Sequence, residues 1–382
     1  MKIIRTSTIP ASLNNFCRGL LSKLKVDGFE VVALSSPGEA LNEVEFREGV
    51  KTYAVPMERH ISPFKDLTSL WRLIKVFRKE KPDIVHSITP KAGLLSMMAA
   101  KIAGVPTRIH TFTGLVFPTS TGLKKKILIL TDKLTCACAT HIIPEGQGVK
   151  NDLEKFKITT KSLKVLGYGN IKGIDLKHFD PNLPDVKSQA IKIRKEGVYT
   201  FVFIGRLVRD KGINELIKAF TDLNHIHPNT RLILVGGYEQ KLDPLEQSTI
   251  DEINVNPAIE AVGVQRDVRP WLFASDCFVF PSYREGFPNV VIEAGAMGLP
   301  SIVTDINGSR EIISNGKNGL IVPSQDSDAL YNAMTRFLEE SELTNELGNP
   351  ARSMVAKRFE QSFVHRCQRD YYKKILSDNH EA

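Results

Sequence analysis

The sequence predicts an α/β protein made of two doubly wound units in tandem. Three observations carry this. Short β-branched and apolar runs alternate with amphipathic helical patterns, the mark of an open, mainly parallel sheet. The alternation lapses over residues 164–195, which include KVLGYGNIKGIDLKHFDPNLPDVK, rich in Gly, Pro, Asp and Asn, and then resumes. At 382 residues the chain also exceeds what one core normally serves.

In order, KIIRTST reads as a strand and Leu13–Lys25 as one helix, ended by Asp27-Gly28. EVVALSS, VKTYAVP, DIVHSIT, TRIHTFT and THIIPE read as further strands, with helices near 66–79, 91–103 and 123–135 between them. Beyond the border come YTFVFIG, a helix over 211–223, RLILVGG, AIEAVG, DCFVFPS, a helix over 289–297, PSIVTD, GLIVPS and a helix over 326–339. Residues 348–378 read as two closing helices. The expected division is a first unit over 1–178, a second over 179–365, and a terminal helix over 366–382 packing back on the first. Open α/β sheets bind ligands beyond the carboxyl ends of their strands, so the expected site is a cleft across which the two units face.

Composition narrows the function. The chain is 42% apolar and 25% charged, an ordinary globular balance. No apolar run reaches the roughly 18 residues of a membrane span, and MKIIRTSTIPASL begins as a strand broken at Pro10 rather than as a leader. Five scattered cysteines without metal-ligand spacing fit a reducing cytoplasm. Residues 1–178 hold 28 Lys/Arg against 15 Asp/Glu, whereas the remainder holds 23 against 28. A basic first half suits an anionic membrane, a polyanion or a phosphorylated substrate. Neither half carries G-x-G-x-x-G after its first strand, and no Walker motif occurs, so no dinucleotide cofactor is indicated. Aromatic residues are not interleaved with basic ones on a predicted sheet face, so no nucleic-acid partner is expected.

Chemistry concentrates in two stretches of the second half. FVFIGRLVRDKGINELIKAF sets Arg206 just past a buried strand and Lys211 at a helix start. Two cations and a helix N-terminus can hold a diphosphate; the plainer reading is solvated loop charge. PSYREGFPNVVIEAGAM sets Glu285 in a glycine-containing loop and Glu293 one turn into an otherwise apolar helix. A carboxylate there is costly unless paired or turned to a ligand, and paired sugar or ribose hydroxyls suit it; the alternative is helix-terminus chemistry for Glu285 and a surface place for Glu293. Asp326-Ser327-Asp328 is a D-x-D just before a helical stretch and is expected to cap it rather than bind metal.

The ordered combination FIGRLVRDKG, RLILVGG, VGVQRDV, FPSYREGFPNVVIEAGAMGLPSIVT and NGLIV resembles the retaining, nucleotide-sugar-dependent glycosyltransferases of the GT-B fold, family four. The likeness spans essentially the whole chain and is strongest over 199–323. VHSITPKAG, IHTFTGL and GNIKGIDLKHF are similar to members that assemble bacterial surface polysaccharides or lipid-linked oligosaccharides. The resemblance implies two Rossmann-like domains and a donor site in which Arg206 and Lys211 bind the diphosphate. It also implies that Glu293 takes the ribose hydroxyls, that Glu285 contacts the sugar, helped by the N–H groups of Gly286 and Phe287, and that backbone at Val264 reads the base. His110 matches a family histidine near the reacting sugar, its alternative being a strand-end packing role. The first loop, STIPAS, lacks the glycines usual in the family; Ser12 is its candidate for the donor phosphate, and Asn14, Asn15 and His86 are candidates for the acceptor.

The implied reaction is front-face glycosyl transfer with retention, no metal and no cofactor. Glu58 and Asp132 are the carboxylates a covalent route would have to use. Lys124, Lys125 and Lys126 precede ILIL, and LTSLWRLIKVFRKEK combines Trp71 and Phe77 with Arg72, Lys75, Arg78 and Lys79; both suit the surface of an anionic membrane, the alternative being sheet-covering helices. The expected partners are therefore a UDP-linked sugar, an N-acetylhexosamine by the N-terminal likeness, a polyprenyl-diphosphate-linked saccharide, and the inner face of the cell membrane. Two rival readings share the architecture: a non-catalytic nucleotide-sugar or glycan binder, and a non-hydrolysing nucleotide-sugar epimerase.

Overall fold

A computed structural model describes residues 1–58, 62–239, 243–340 and 342–381. The chain forms two units, one of Met1–Gly173 with the chain from Ser362 onward, the other Ile174–Gln361.

The first unit runs β1 (Lys2–Thr6), α1 (Pro10–Phe16), α2 (Leu20–Val26), β2 (Glu30–Ser35), α3 (Glu39–Glu48), β3 (Lys51–Ala54), α4 (Pro63–Glu80), β4 (Ile84–Ile88), α5 (Pro90–Ile102), β5 (Thr107–Phe112), α6 (Gly122–Cys138), β6 (His141–Pro144) and α7 (Gln147–Lys155). Its six parallel strands lie in the order β3-β2-β1-β4-β5-β6. Chain direction across the sheet reverses between β1 and β4, and their carboxyl ends form the crevice in which such sheets bind ligands. One layer of core joins Leu13, Leu20, Leu24 and Val44 to Tyr372 near the C-terminus. The other joins Leu73, Phe77, Leu95 and Met97 to Cys136 and Leu153.

The helix expected over Leu13–Lys25 is two helices. Gly19 takes a left-handed φ of 72°, and its N–H and that of Ser22 donate to the Glu48 carboxylate at 2.8 and 3.1 Å. A buried acceptor thus ends one helix and starts the next, which periodicity alone does not reveal. The glycine-free turn after β1 contains no residue at positive φ, so it needs no glycine. The left-handed backbone sits instead at Thr89, φ 71°.

The second unit runs α8 (Pro184–Ile193), β7 (Tyr199–Ile204), α9 (Ile213–Ile226), β8 (Thr230–Val235), α10 (Gln247–Val255), β9 (Ile259–Gly263), α11 (Arg269–Phe273), β10 (Cys277–Phe280), α12 (Asn289–Ala296), β11 (Ser301–Thr304), α13 (Ser309–Ile312), β12 (Gly319–Val322), α14 (Ser327–Glu339) and α15 (Leu343–Phe359). α16 (Gln361–Glu381) then begins the return to the first unit. The parallel order β12-β11-β10-β7-β8-β9 repeats the winding of the first sheet, with its reversal between β7 and β10. α8 lies inside the stretch read as a border: Pro184 opens it, and Val186 and Ala190 bury its inner side. Asp326 caps α14 as expected, accepting from the Ala329 N–H at 2.8 Å.

The first unit carries three fully enclosed histidines, His86, His110 and His365. Burial lowers the pKa of each, His110 and His365 to about 3. An unfolded chain protonates them near pH 6.5, so between that value and about 3 the unfolded state binds more protons and stability falls as the pH falls. Each enclosed histidine removes about 1.4 kcal/mol per pH unit in this window. Asp132, pushed up to about 7 by burial, works in the opposite sense but is one group against three. Amide hydrogen exchange at pH 7 and pH 5, corrected for intrinsic rates, should therefore show protection lost first in peptides of the first unit. Equal loss in both units would contradict this.

Candidate functional site

In the second unit the loops after β7 and β10 meet at the carboxyl edge, at the reversal point. Gly212, φ 73°, precedes α9, and a Cβ there would fall 2.1 Å from the Pro281 carbonyl oxygen. Only glycine permits both the conformation and the approach. The loop after β8 is drawn in likewise: a Cβ at Gly236 would fall 1.7 Å from the Gly205 carbonyl oxygen. Further bonds lock the assembly. Tyr283 N–H donates to the Asp210 carbonyl at 2.9 Å, and Arg284 meets the Asp210 carboxylate at 2.9 Å.

These approaches bring the expected residues together. Lys211 forms an ion pair with Glu285, both side chains mostly buried, and Ser282 Oγ donates to the same carboxylate at 3.0 Å. Arg206 stands farther out, ion-paired with Glu239 on the loop after β8. Among the described residues the backbone N–H groups of Gly286 and Phe287 have no backbone acceptor. The Phe287 ring packs edge-on to Phe359, 5.4 Å between centroids, and so anchors the start of α12. Glu293 is half-buried on α12, and Val264, 80% exposed, follows β9 beside Gly237. Two cations, carboxylates and backbone N–H groups on one edge can hold a diphosphate bearing hydroxylated groups.

In the first unit, Thr8 after β1 and Thr89 after β4 meet at the reversal point. Thr8 N–H reaches Thr89 Oγ1 at 3.1 Å, and the two hydroxyls are 2.8 Å apart. Ala92 N–H, in the first turn of α5, donates to Thr8 Oγ1 at 3.1 Å. A β-branched residue at positive φ is a conformational outlier, and these bonds hold it. His110 on β5 is enclosed; Ser87 Oγ meets its Nδ1 at 2.9 Å, and its ring lies where a Cβ at Gly93 would fall 2.3 Å from Cε1. With its pKa near 3, the ring is neutral at ordinary pH.

Other expected contacts have structural tasks. Both ring nitrogens of His86 are taken, Nδ1 by Arg5 and Tyr372 at 2.9 and 2.5 Å and Nε2 by Thr111 at 2.7 Å, so no atom is left for an acceptor. Asn14 ties α1 to α3 through Glu43 at 2.7 Å and Arg47. The Ser12 N–H closes the turn on the Ile9 carbonyl at 3.2 Å and is not offered to a phosphate. Asn15 is exposed on α1. Glu58, in the loop beyond β3, an edge strand two places from the reversal point, pairs with Lys65 at 2.7 Å, and Asp132 lies well along α6.

Sequence reading missed Thr8, Thr89, Glu239 and the Asp210–Arg284 pair. A Thr-Pro directly after a strand was a usable signal for Thr89; the ion pairs join loops from different strands and leave none.

The outer side of the first unit exposes a large apolar surface. α5 packs between α4 and α6. Phe64, Leu67 and Trp71 are exposed on α4 at spacings of three and four residues, and Leu123, Ile127, Leu130 and Leu134 on α6 at four, three and four. Lys75 Nζ lies 3.3 Å over the Trp71 ring. Lys124 and Lys126 point outward, whereas Lys125 turns to the Phe156 ring, 5.2 Å from its centroid. Leu128 and Ile129 pack on the core, so the ILIL run is split between core and surface. Among the described residues no helix is long and apolar enough to cross a membrane.

Comparisons with known proteins agree with this arrangement. Residues 9–145 match the family model "Glycosyl transferase 4-like" and residues 186–354 match "Glycosyl transferases group 1". The chain is 31% identical over 379 residues to the capsular polysaccharide biosynthesis glycosyltransferase CapM of Staphylococcus aureus, covering 99% of this chain and 98% of that one. It is 31% identical over 319 residues to the UDP-Gal:alpha-D-GlcNAc-diphosphoundecaprenol alpha-1,3-galactosyltransferase of Escherichia coli, covering 82% and 81%. Among solved structures, Anabaena Alr3699/HepE in complex with UDP and glucose superposes with a TM-score of 0.81 at 18% identity, covering 99% of each chain.

The packing around Gly212 is directly testable. Gly197 has a similar φ of 71° but nothing within 4 Å of where a Cβ would stand, so Gly197→Ala carries conformational strain alone. That strain costs about 1–2 kcal/mol, whereas Gly212→Ala should cost about 3 kcal/mol or more because loop backbone must also move. Urea denaturation compares the two, and equal losses would show that the approach to Pro281 does not constrain the loops.

Proposed function

Because this chain belongs to the group 1 glycosyltransferases and has their two-domain GT-B fold, we propose that it is a retaining enzyme. It moves N-acetylhexosamine from a UDP-linked donor to a polyprenyl-diphosphate-linked saccharide. The observation that carries this reading is the convergence of Arg206, Lys211 and Glu285 at the reversal point of the second sheet. The E. coli relative's name, with its UDP-linked donor and lipid-diphosphate acceptor, supports the substrate class. The UDP bound in the Anabaena structure supports the nucleotide.

In this proposal Arg206 and Lys211 hold the diphosphate, Glu293 takes the ribose hydroxyls and backbone at Val264 meets the base. Glu285, fixed by Lys211 and Ser282, faces the sugar, and the N–H groups of Gly286 and Phe287 stabilise charge beside it. The bond from the anomeric carbon to the phosphate oxygen breaks. The acceptor hydroxyl oxygen bonds to the same face of that carbon, and its proton passes to the departing phosphate. His110, enclosed and neutral, shapes the reversal point of the first sheet and is not a proton carrier, since its pKa of about 3 lies far from neutrality. Two cations take the charge-stabilising part that a metal plays elsewhere, so transfer proceeds without one.

Arg206→Ala and Lys211→Ala should each slow transfer by about 2–4 kcal/mol of transition-state stabilisation. The assay is radiolabelled transfer to lipid-linked acceptor with EDTA present throughout and UDP-galactose as the comparison donor. Full activity in the double variant would sink the diphosphate assignment, and loss of all wild-type transfer in EDTA, restored by Mg²⁺, would sink the metal-free scheme. Conversion of the donor sugar without acceptor would favour the epimerase.

The apolar and basic outer side of α4 and α6 is proposed to lie on the anionic inner leaflet, where a lipid-linked acceptor is presented. Seven exposed large apolar side chains on two neighbouring faces, bordered by lysines, suit an interfacial surface. Each outward lysine contributes on the order of 1 kcal/mol near such a leaflet. Reversing Lys124 and Lys126 to Glu should release the protein from anionic vesicles in cosedimentation, while Lys125→Glu should do much less. Equal pelleting of the double variant and wild type would assign the surface another role.

A further inference from the structure

Among the described residues, four cations in the loops at the carboxyl edge of the second sheet each meet a carboxylate: Arg206, Arg209, Lys211 and Arg284 face Glu239, Asp243, Glu285 and Asp210 respectively. A diphosphate carrying two or more negative charges gains little from such a site unless a carboxylate gives way.

The four pairs are not equivalent. The Glu285 carboxylate is held by Lys211 and by Ser282 Oγ at 3.0 Å, and its side chain is 17% exposed. Asp243 is held by Arg209 and by the Asp210 N–H at 2.6 Å. Asp210 is bound into the loop crossing through its own backbone, which accepts from Tyr283 N–H at 2.9 Å. Among the described residues the Glu239 carboxylate makes one polar contact, to Arg206, whose side chain is 56% exposed. The Glu239 side chain is 29% exposed, so this is a partly solvated pair held at its acidic end by a single contact, and it exchanges more easily than one with a second anchor.

We propose that Glu239 is the exchangeable counter-ion of the donor site: it holds the Arg206 guanidinium, and the donor diphosphate replaces it there. Glu239 is then a positioning residue that acts through Arg206. It keeps the guanidinium extended over the site at a modest cost in affinity, and it returns to Arg206 as the nucleoside diphosphate leaves. The inference rests on the assignment of Arg206 to the diphosphate, and its test separates the two.

Titration calorimetry with UDP compares wild type, Glu239→Gln, Glu239→Asp and Arg206→Ala, with donor KM and kcat measured beside it. Glu239→Gln keeps shape and hydrogen-bonding capacity but removes the competing charge. It should bind UDP about three- to tenfold more tightly, because an exposed pair is worth up to about 1 kcal/mol and the carboxylate also repels the incoming phosphate. Its donor KM should fall by a similar factor while kcat does not rise, and Glu239→Asp should restore wild-type affinity. A merely structural role would alter melting temperature without this split. Unchanged or weaker UDP binding by Glu239→Gln, with Arg206→Ala strongly impaired, overturns the counter-ion role and leaves the diphosphate assignment standing. Unchanged binding by Arg206→Ala overturns both.

Discussion

The geometry of the candidate site in the second unit depends on backbone meeting backbone where its sheet reverses. Gly212 lies against the Pro281 carbonyl and Gly236 against that of Gly205. With no side chain between them, the loops after β7, β8 and β10 become one rigid ledge at the strand ends. Lys211 reaches Glu285, and Arg206 reaches Glu239, because these approaches set the loops at side-chain distance. A Cβ at either glycine would separate groups 74 or 33 residues apart in the chain whose pairing defines the site. The aromatic core beneath supplies the stiffness, with Phe203 and Phe280 of the two central strands stacked 5.9 Å apart.

The first unit meets the same topological demand with different chemistry. Its reversal point uses hydroxyls in place of glycines: Thr8 and Thr89 bond each other and the first turn of α5. The strained backbone is moved from the first loop to Thr89, and strain of this kind persists only where surrounding bonds over-determine it. His110 is held neutral nearby. The second unit therefore offers charge to an anion, and the first offers neutral polar groups.

Much of this was legible in the sequence, for physical reasons. Runs such as FVFI and CFVF are buried on both faces of a parallel sheet, so their strands stand out at once. Arg206, Lys211, Glu285 and Glu293 were legible because charge beside buried strands needs an explanation. Gly19 was hidden because the apolar spacing continues through it, and the break is fixed by Glu48 from another helix. His86 and Asn14 misled because a polar residue near a strand end or in a loop looks available, and only the fold shows Tyr372 and Arg47 occupying them. Lys125 differs from its two neighbours through one ring, Phe156, 31 positions later.

Glu239 illustrates the general limit. Nothing local in GGYEQ marks it, since a glutamate in a loop is the commonest of observations. It acquires meaning from the pairing of charges among the described residues of the ledge, in which four cations each have a carboxylate. A site that binds anions strongly when empty would also retain its product, and slow release caps turnover in many enzymes. A site with internal counter-ions trades some affinity for exit, because the departing diphosphate leaves behind no bare guanidinium to be resolvated. On this argument the carboxylates among the loops belong to the candidate site as much as the cations do.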